Sequence, residues 1–143
     1  MEEIEVIQMD SILIAVRGRC GISEFDEDFD KDLIPAINMV FAHLAQLGAG
    51  PARGFLIEDD TTLWSDYIPD DGYHSNILLG FIKEFMYCKV RVAFDPPSSS
   101  VLMDALKRSA DEYEQRIIIE LETPTRTETT VEEDVDDILD NNY

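Results

Sequence analysis

Residues 75–117 read SNILLGFIKEFMYCKVRVAFDPPSSSVLMDALKRSADEYEQRI, and their spacing decides the fold class. Leu78, Phe81, Ile82, Phe85, Cys88 and Val92 recur at helical intervals, which predicts a long helix from Ser75. That helix has to stop before Asp95, because Pro96 and Pro97 follow and disfavour helical geometry in the residue ahead of them. Ser98 to Ser100 then supply a new cap. Leu102, Leu106, Ala110, Tyr113 and Ile117 mark a second long helix, antiparallel to the first across the Pro-Pro break. Ile117–Leu121 is β-branched and reads equally as a strand or as the end of this helix.

Toward the N-terminus the elements shorten. Asp10 is placed to cap a helix over Ser11–Cys20, with Ile12, Leu13, Val16 and Cys20 on one face and Gly21 ending it. The acidic run SEFDEDFDKD complements the positive end of the next helix. In that helix Leu33, Ile37, Val40, Leu44 and Leu47 form a single apolar stripe closed by Gly48. Pro35 is tolerated only near a first turn, so the regular helix is expected to start close to it. GAGPARG (48–54) is a loop, Phe55–Ile57 a short extended piece, and Asp59 or Asp60 a cap for a brief helix carrying Leu63, Trp64, Tyr67 and Ile68. Glu2–Met9 half-alternates, as a short strand or an arm would.

Beyond Glu122 the composition changes to the polar linker TPTRTETT. Thr130 and Glu133 then make a capping box, and Val131, Val135, Ile138 and Leu139 share one helical face surrounded by carboxylates. A helix this short is not stable alone and needs a groove to lie in. The expected architecture is mainly α: a small helical bundle with a long hairpin, an extended N-terminal arm and a C-terminal tail. Its divisions are 1–10, 11–122 and 123–143.

The charge is unevenly spread along the chain. The 143 residues include 31 Asp and Glu against 11 Lys and Arg, a formal net charge of −20. Residues 1–74 carry 16 acidic and 4 basic residues, residues 75–119 six of each, and residues 120–143 nine acidic residues and Arg126. Such a polyanion has little to offer nucleic-acid phosphates or an anionic membrane. No apolar run approaches a membrane span, and MEEIEVIQMD lacks the order of a signal peptide. Cys20 and Cys88 make no disulfide framework, and free thiols in a reducing compartment are expected.

Chemical sites are weakly represented. Asp26, Asp28 and Asp30 copy the start of a calcium loop, but Lys31 and Ile37 stand where it needs Gly and Glu. His43 and His74 have no metal-ligand spacing, and His43 reads as a satisfied helix residue. There is no phosphate loop or nucleophile elbow, and Ser98–Ser100 reads as a cap. No enzyme, cofactor or metal is expected. Trp64 with Tyr67 reads first as packing.

Several motifs in fixed order carry a resemblance. They are Ser11-Ile-Leu13 through Gly21-Ile22, Phe29-Asp30-Lys-Asp32 leading to Ile37-Asn38, and Gln46-Leu47-Gly48-Ala-Gly50-Pro51. Gly54-Phe55-Leu-Ile57-Glu-Asp59-Asp60 and Trp64-Ser-Asp66 follow, then Lys89-Val90-Arg91, Phe94-Asp95-Pro96-Pro97-Ser-Ser99 and Glu112-Tyr-Glu114-Gln-Arg116. Over roughly residues 11–118 the chain resembles the head-to-tail connector (adaptor) proteins of tailed bacteriophages. It departs from that pattern in the extension Met1–Met9, in Pro35, in Tyr113-Glu-Gln where Leu-Glu-Trp is common, and in the acidic tail.

The resemblance implies a mostly helical virion protein at the neck, assembled in the host cytoplasm. It forms a ring, usually of twelve copies, beneath the portal, lengthens the DNA channel and meets a downstream neck or tail protein. A C-terminal segment docks on the portal, a role that falls here to Val131, Val135, Ile138 and Leu139. Phe55, Trp64 and Tyr67 become candidates for subunit or neck contacts, and the neutral 75–119 hairpin for core and subunit packing. Glu24, Asp26, Glu27, Asp28, Asp30 and Asp32 become candidates for an acidic lumen that DNA passes without specific binding. The competing reading is an acidic DNA mimic occupying the nucleic-acid site of an enzyme, which requires carboxylates ranged along one surface.

Overall fold

The computed structural model describes residues 10–123. These contain helices α1 (Ile12–Arg19), α2 (Asp30–Leu47), α3 (Trp64–Tyr67), α4 (Tyr73–Phe94) and α5 (Ser100–Glu122). Among the described residues there is no strand beyond one isolated bridge, Ser11 to Leu63, so Phe55–Ile57 joins no sheet. The mainly helical bundle with a long hairpin is the architecture found. The arm at 1–9 and the tail from 124, with its docking stripe, lie outside the described residues.

α4 and α5 form the hairpin. The Asp95 N–H closes α4 on the Arg91 carbonyl, and Ser99 caps α5 by accepting from the Leu102 N–H. His74 of α4 stands 2.9 Å from Glu120 near the end of α5, which fixes the antiparallel sense. Ile117–Leu121 is helical: Ile117 is buried against the core, and tertiary packing overrides β-branched propensity. Two registers differ from expectation. Val90 and Met86 are core residues whereas Val92 is only partly covered, and Leu102 projects from the open end of α5.

α2 lies across α4, with Phe29 edge-on to Phe94 and His43 edge-on to Phe85, so the two helices run in opposite directions. Leu33, Ile37, Val40 and Leu44 supply the buried stripe. The helix starts at Asp30 rather than near Pro35, which stands in its second turn. The Phe29 carbonyl accepts from Asp32 and Leu33, so the first turn is already closed ahead of the proline. Pro35 then removes one bond on an exposed face. His43 reaches Glu114 of α5 at 2.6 Å.

α1 is capped by Ser11 and not by Asp10, since the Ser11 hydroxyl faces the Ile14 N–H. Asp10 instead accepts from the hydroxyl of Ser65, 2.8 Å away. Arg19, at the end of α1, pairs with Glu84 and lies over the ring of Tyr87, tying α1 to α4.

Candidate assembly surface

Residues 48–63 have almost no regular structure, and their position is set by named polar contacts with α1 and α2. Asn38 on α2 pairs both ways with Ile57: its amide oxygen accepts from the Ile57 N–H at 2.8 Å, and its amide nitrogen donates to the Ile57 carbonyl at 3.0 Å. One side chain therefore replaces a neighbouring strand for a residue that is buried. Ser11 donates to the Asp60 carbonyl at 2.7 Å, and the Ile12 N–H donates to Thr62. Asp59 accepts from the backbone and hydroxyl of Thr61, which holds its carboxyl below the usual range. The cap of α3 is Leu63, whose N–H is taken by Asp66; of the two expected caps, Asp59 serves the preceding turn and the Asp60 carboxylate lies 3.8 Å from Arg17.

The loop wraps an aromatic cluster. Phe41, Phe55 and Tyr67 meet with centroids 4.8 to 5.0 Å apart, and Trp64 stands 6.2 Å from Phe41. Gly48 closes α2 in the left-handed conformation. Gly50, at φ +81°, lies directly under Tyr67, where a Cβ would come within 2.9 Å of the hydroxyl and collide with the ring. Gly50 of GAGP therefore lets the loop close against an aromatic ring. Burial pushes the Tyr67 phenol above its ordinary range.

The acidic segment 23–32 is equally constrained. Arg17 is 1% exposed; its guanidinium donates to both carboxylate oxygens of Asp30, at 2.9 and 2.5 Å, and to the Glu24 carbonyl at 2.7 Å. Hydrogen bonding to Asp30 is the main reason that the Arg17 pKa rises further. Asp26 accepts from the Asp28 N–H, and the Asp26 N–H closes a turn on the Ser23 carbonyl.

These contacts sort the sequence candidates. Trp64 and Tyr67 are buried in their own protomer, so their rings give a neighbour no surface; Phe55 is half-buried at the edge of the cluster. Asp30 is half-buried in its pair with Arg17, which removes it from an open acidic wall. Glu24, Glu27, Asp28 and Asp32 are exposed, and Asp26 is half-buried. Val131, Val135, Ile138 and Leu139 lie outside the described residues. Arg17 and Asn38 had no signal in apolar periodicity. Their only trace is their place among the ordered motifs.

No group of His, Cys, Asp or Glu among the described residues could hold a metal ion. Cys20 and Cys88 are free thiols, and burial raises both pKa values. No described helix is long and apolar enough to cross a membrane.

A family model described as Phage connector protein matches residues 12–124, most of the chain. The protein belongs to that family of phage head-to-tail connectors, and its role is that of a structural connector in the virion. The family is not enzymatic and implies assembly with phage portal and tail proteins. No curated protein and no solved structure matches the chain.

Proposed function

We propose that this connector forms a ring of identical subunits, a dodecamer, beneath the portal. The ring extends the DNA channel and presents its far side to the next neck or tail protein. The observation that carries this reading is the family match across the whole described domain. The charge supports it, because a wall poor in exposed Lys and Arg lets DNA slide without the salt-dependent attachment that phosphate contacts bring. Glu24, Glu27, Asp28 and Asp32 are the exposed candidates for that wall. The tail stripe Val131, Val135, Ile138 and Leu139 docks on the portal as an amphipathic helix in a groove.

The test is attachment. Deleting Thr130–Tyr143 leaves a helical domain with an unchanged circular dichroism spectrum and abolishes co-sedimentation with portal rings. Normal co-sedimentation of the truncated chain would remove the docking role. A DNA mimic is the poorer reading, because it gives no reason for the family match or for the charge-balanced hairpin at 75–119, with six acidic and six basic residues.

A further inference from the structure

Two surface features have no role inside the protomer. One is Phe25, 76% exposed at the tip of the turn closed by Ser23 and Asp26. An exposed aromatic on a loose loop would need no explanation. This one is held in place, since Arg17 fixes the adjacent Glu24 carbonyl and Asp26 fixes the Asp28 N–H. The ring is flanked by the exposed carboxylates Glu24 and Glu27.

The other feature is a groove of about 530 Å³ between α2 and the loop, with half-buried Phe55 in its wall, Ala42, Ala45, Arg53 and Leu56 around it, and Phe41 buried behind them. Leu56 is 68% exposed. Residues 33–52 contain no Asp, Glu, Lys or Arg, so the α2 side of the groove is uncharged in a chain of net charge −20. The first charge after that tract is Arg53, which is exposed and forms no ion pair among the described residues.

We propose that Phe25 of one copy inserts into the groove beside Phe55 and Leu56 of a second copy, with Glu24 and Glu27 meeting Arg53. The inference rests on the ring reading and names its subunit contact. Charge complementarity selects the occupant: an aromatic knob with acidic flanks fits an uncharged apolar groove with a cationic rim. Phe25 does not fill the groove of its own copy: it is 76% exposed and is not among the residues that line the groove. The eleven helical steps from Asp30 to Phe41 separate the start of α2 from the groove by roughly 16 Å. Knob and groove are different surfaces, so the contact is head-to-tail, the kind that generates rings when the rotation closes. It takes Glu24 and Glu27 off the channel wall and leaves Asp28 and Asp32 as its exposed acidic candidates.

The test uses the full chain assembled on its portal complex and imaged by negative stain, with disulfide trapping alongside. A chain carrying Phe25→Cys and Leu56→Cys should give a ladder of cross-linked multimers that neither single variant gives. Arg53→Glu should lower ring yield at least tenfold, and adding Glu24→Arg with Glu27→Arg should restore it. Phe25→Ala should also lower ring yield while leaving the thermal midpoint unchanged, since the side chain is exposed. Rings that form normally with Phe25→Ala and Arg53→Glu, and without cross-links, would overturn this contact and leave the ring reading standing. Trapping of Leu56→Cys by Val135→Cys would make the tail the occupant and overturn it too. Absence of any ring from the wild-type chain with portal would overturn both.

Discussion

Residues 10–68 and residues 73–122 are held by different kinds of interaction. The second region is a helical hairpin whose core is an apolar stripe: Leu78, Ile82, Phe85, Met86 and Val90 on α4, with Ala110 and Ile117 on α5. The first region has a comparable apolar centre in Leu33, Ile37, Val40, Phe41 and Leu44, but its surface path is set by single side chains. Arg17 pins the acidic segment, Asn38 pins Ile57, and Gly50 admits the Tyr67 ring. A hairpin tolerates many sequences, because volume and pattern suffice to hold it. A loop surface that neighbours must recognise needs its backbone fixed, and that fixing comes from polar pairs with defined geometry. The chain therefore separates a permissive hairpin from a loop region whose path is fixed by specific polar pairs.

Substitutions can break that comparison, and the largest effect is expected in the scaffold. Phe85→Ala empties the centre of the hairpin and should cost about 4 kcal/mol in urea unfolding. Next comes Arg17→Ala, which leaves Asp30 half-buried without its partner; a loss of about 3 kcal/mol is expected, the lower end for broken buried pairs. That change should also free the turn at Glu24, seen as faster backbone hydrogen exchange over 23–28 with the hairpin unaffected. Gly50→Ala forces a left-handed alanine into the Tyr67 ring and should cost about 2 kcal/mol or more.

The sharpest discriminator is Asn38→Leu. On apolar pattern alone it is neutral or favourable, since Leu is a better helix former of similar size. The clamp on Ile57 predicts instead a loss of about 2 kcal/mol, because a buried N–H and carbonyl lose their partners. An equal or higher urea midpoint for this variant would show that Ile57 is positioned by packing alone. At the small end, Leu102→Ala should fall within about 0.5 kcal/mol, because the side chain is exposed despite its place in the helical stripe.

The same division explains what could be read from the sequence. The hairpin and α2 are legible because helical periodicity records burial directly, and the Pro96-Pro97 break and the Gly48 cap mark their ends. Errors there are local: a shift of two residues from Val92 to Val90, and a helix start shifted from Pro35 to Asp30. The loop surface is less legible. Ser11 rather than Asp10 caps α1 because Asp10 is claimed by Ser65, 55 positions away in sequence. Nothing in local spacing shows that Arg17 and Asp30 are partners, or that a glycine two residues beyond a helix cap lies under a tyrosine. Trp64 and Tyr67 illustrate the reverse case. As residue types they suit an interface, and the fold uses them to fill the space that the loop encloses. The acidic blocks were visible from composition, but only the structure separates Asp30, committed to Arg17, from Glu24 and Glu27 on the exposed turn.

Electron microscopy of the full chain mixed with its portal complex tests the central claim most directly. The account predicts an added ring of density beneath the portal, coaxial with the channel and built of repeated copies of this helical domain. Portal particles with no added ring, at protein concentrations well above those used for imaging, would contradict it.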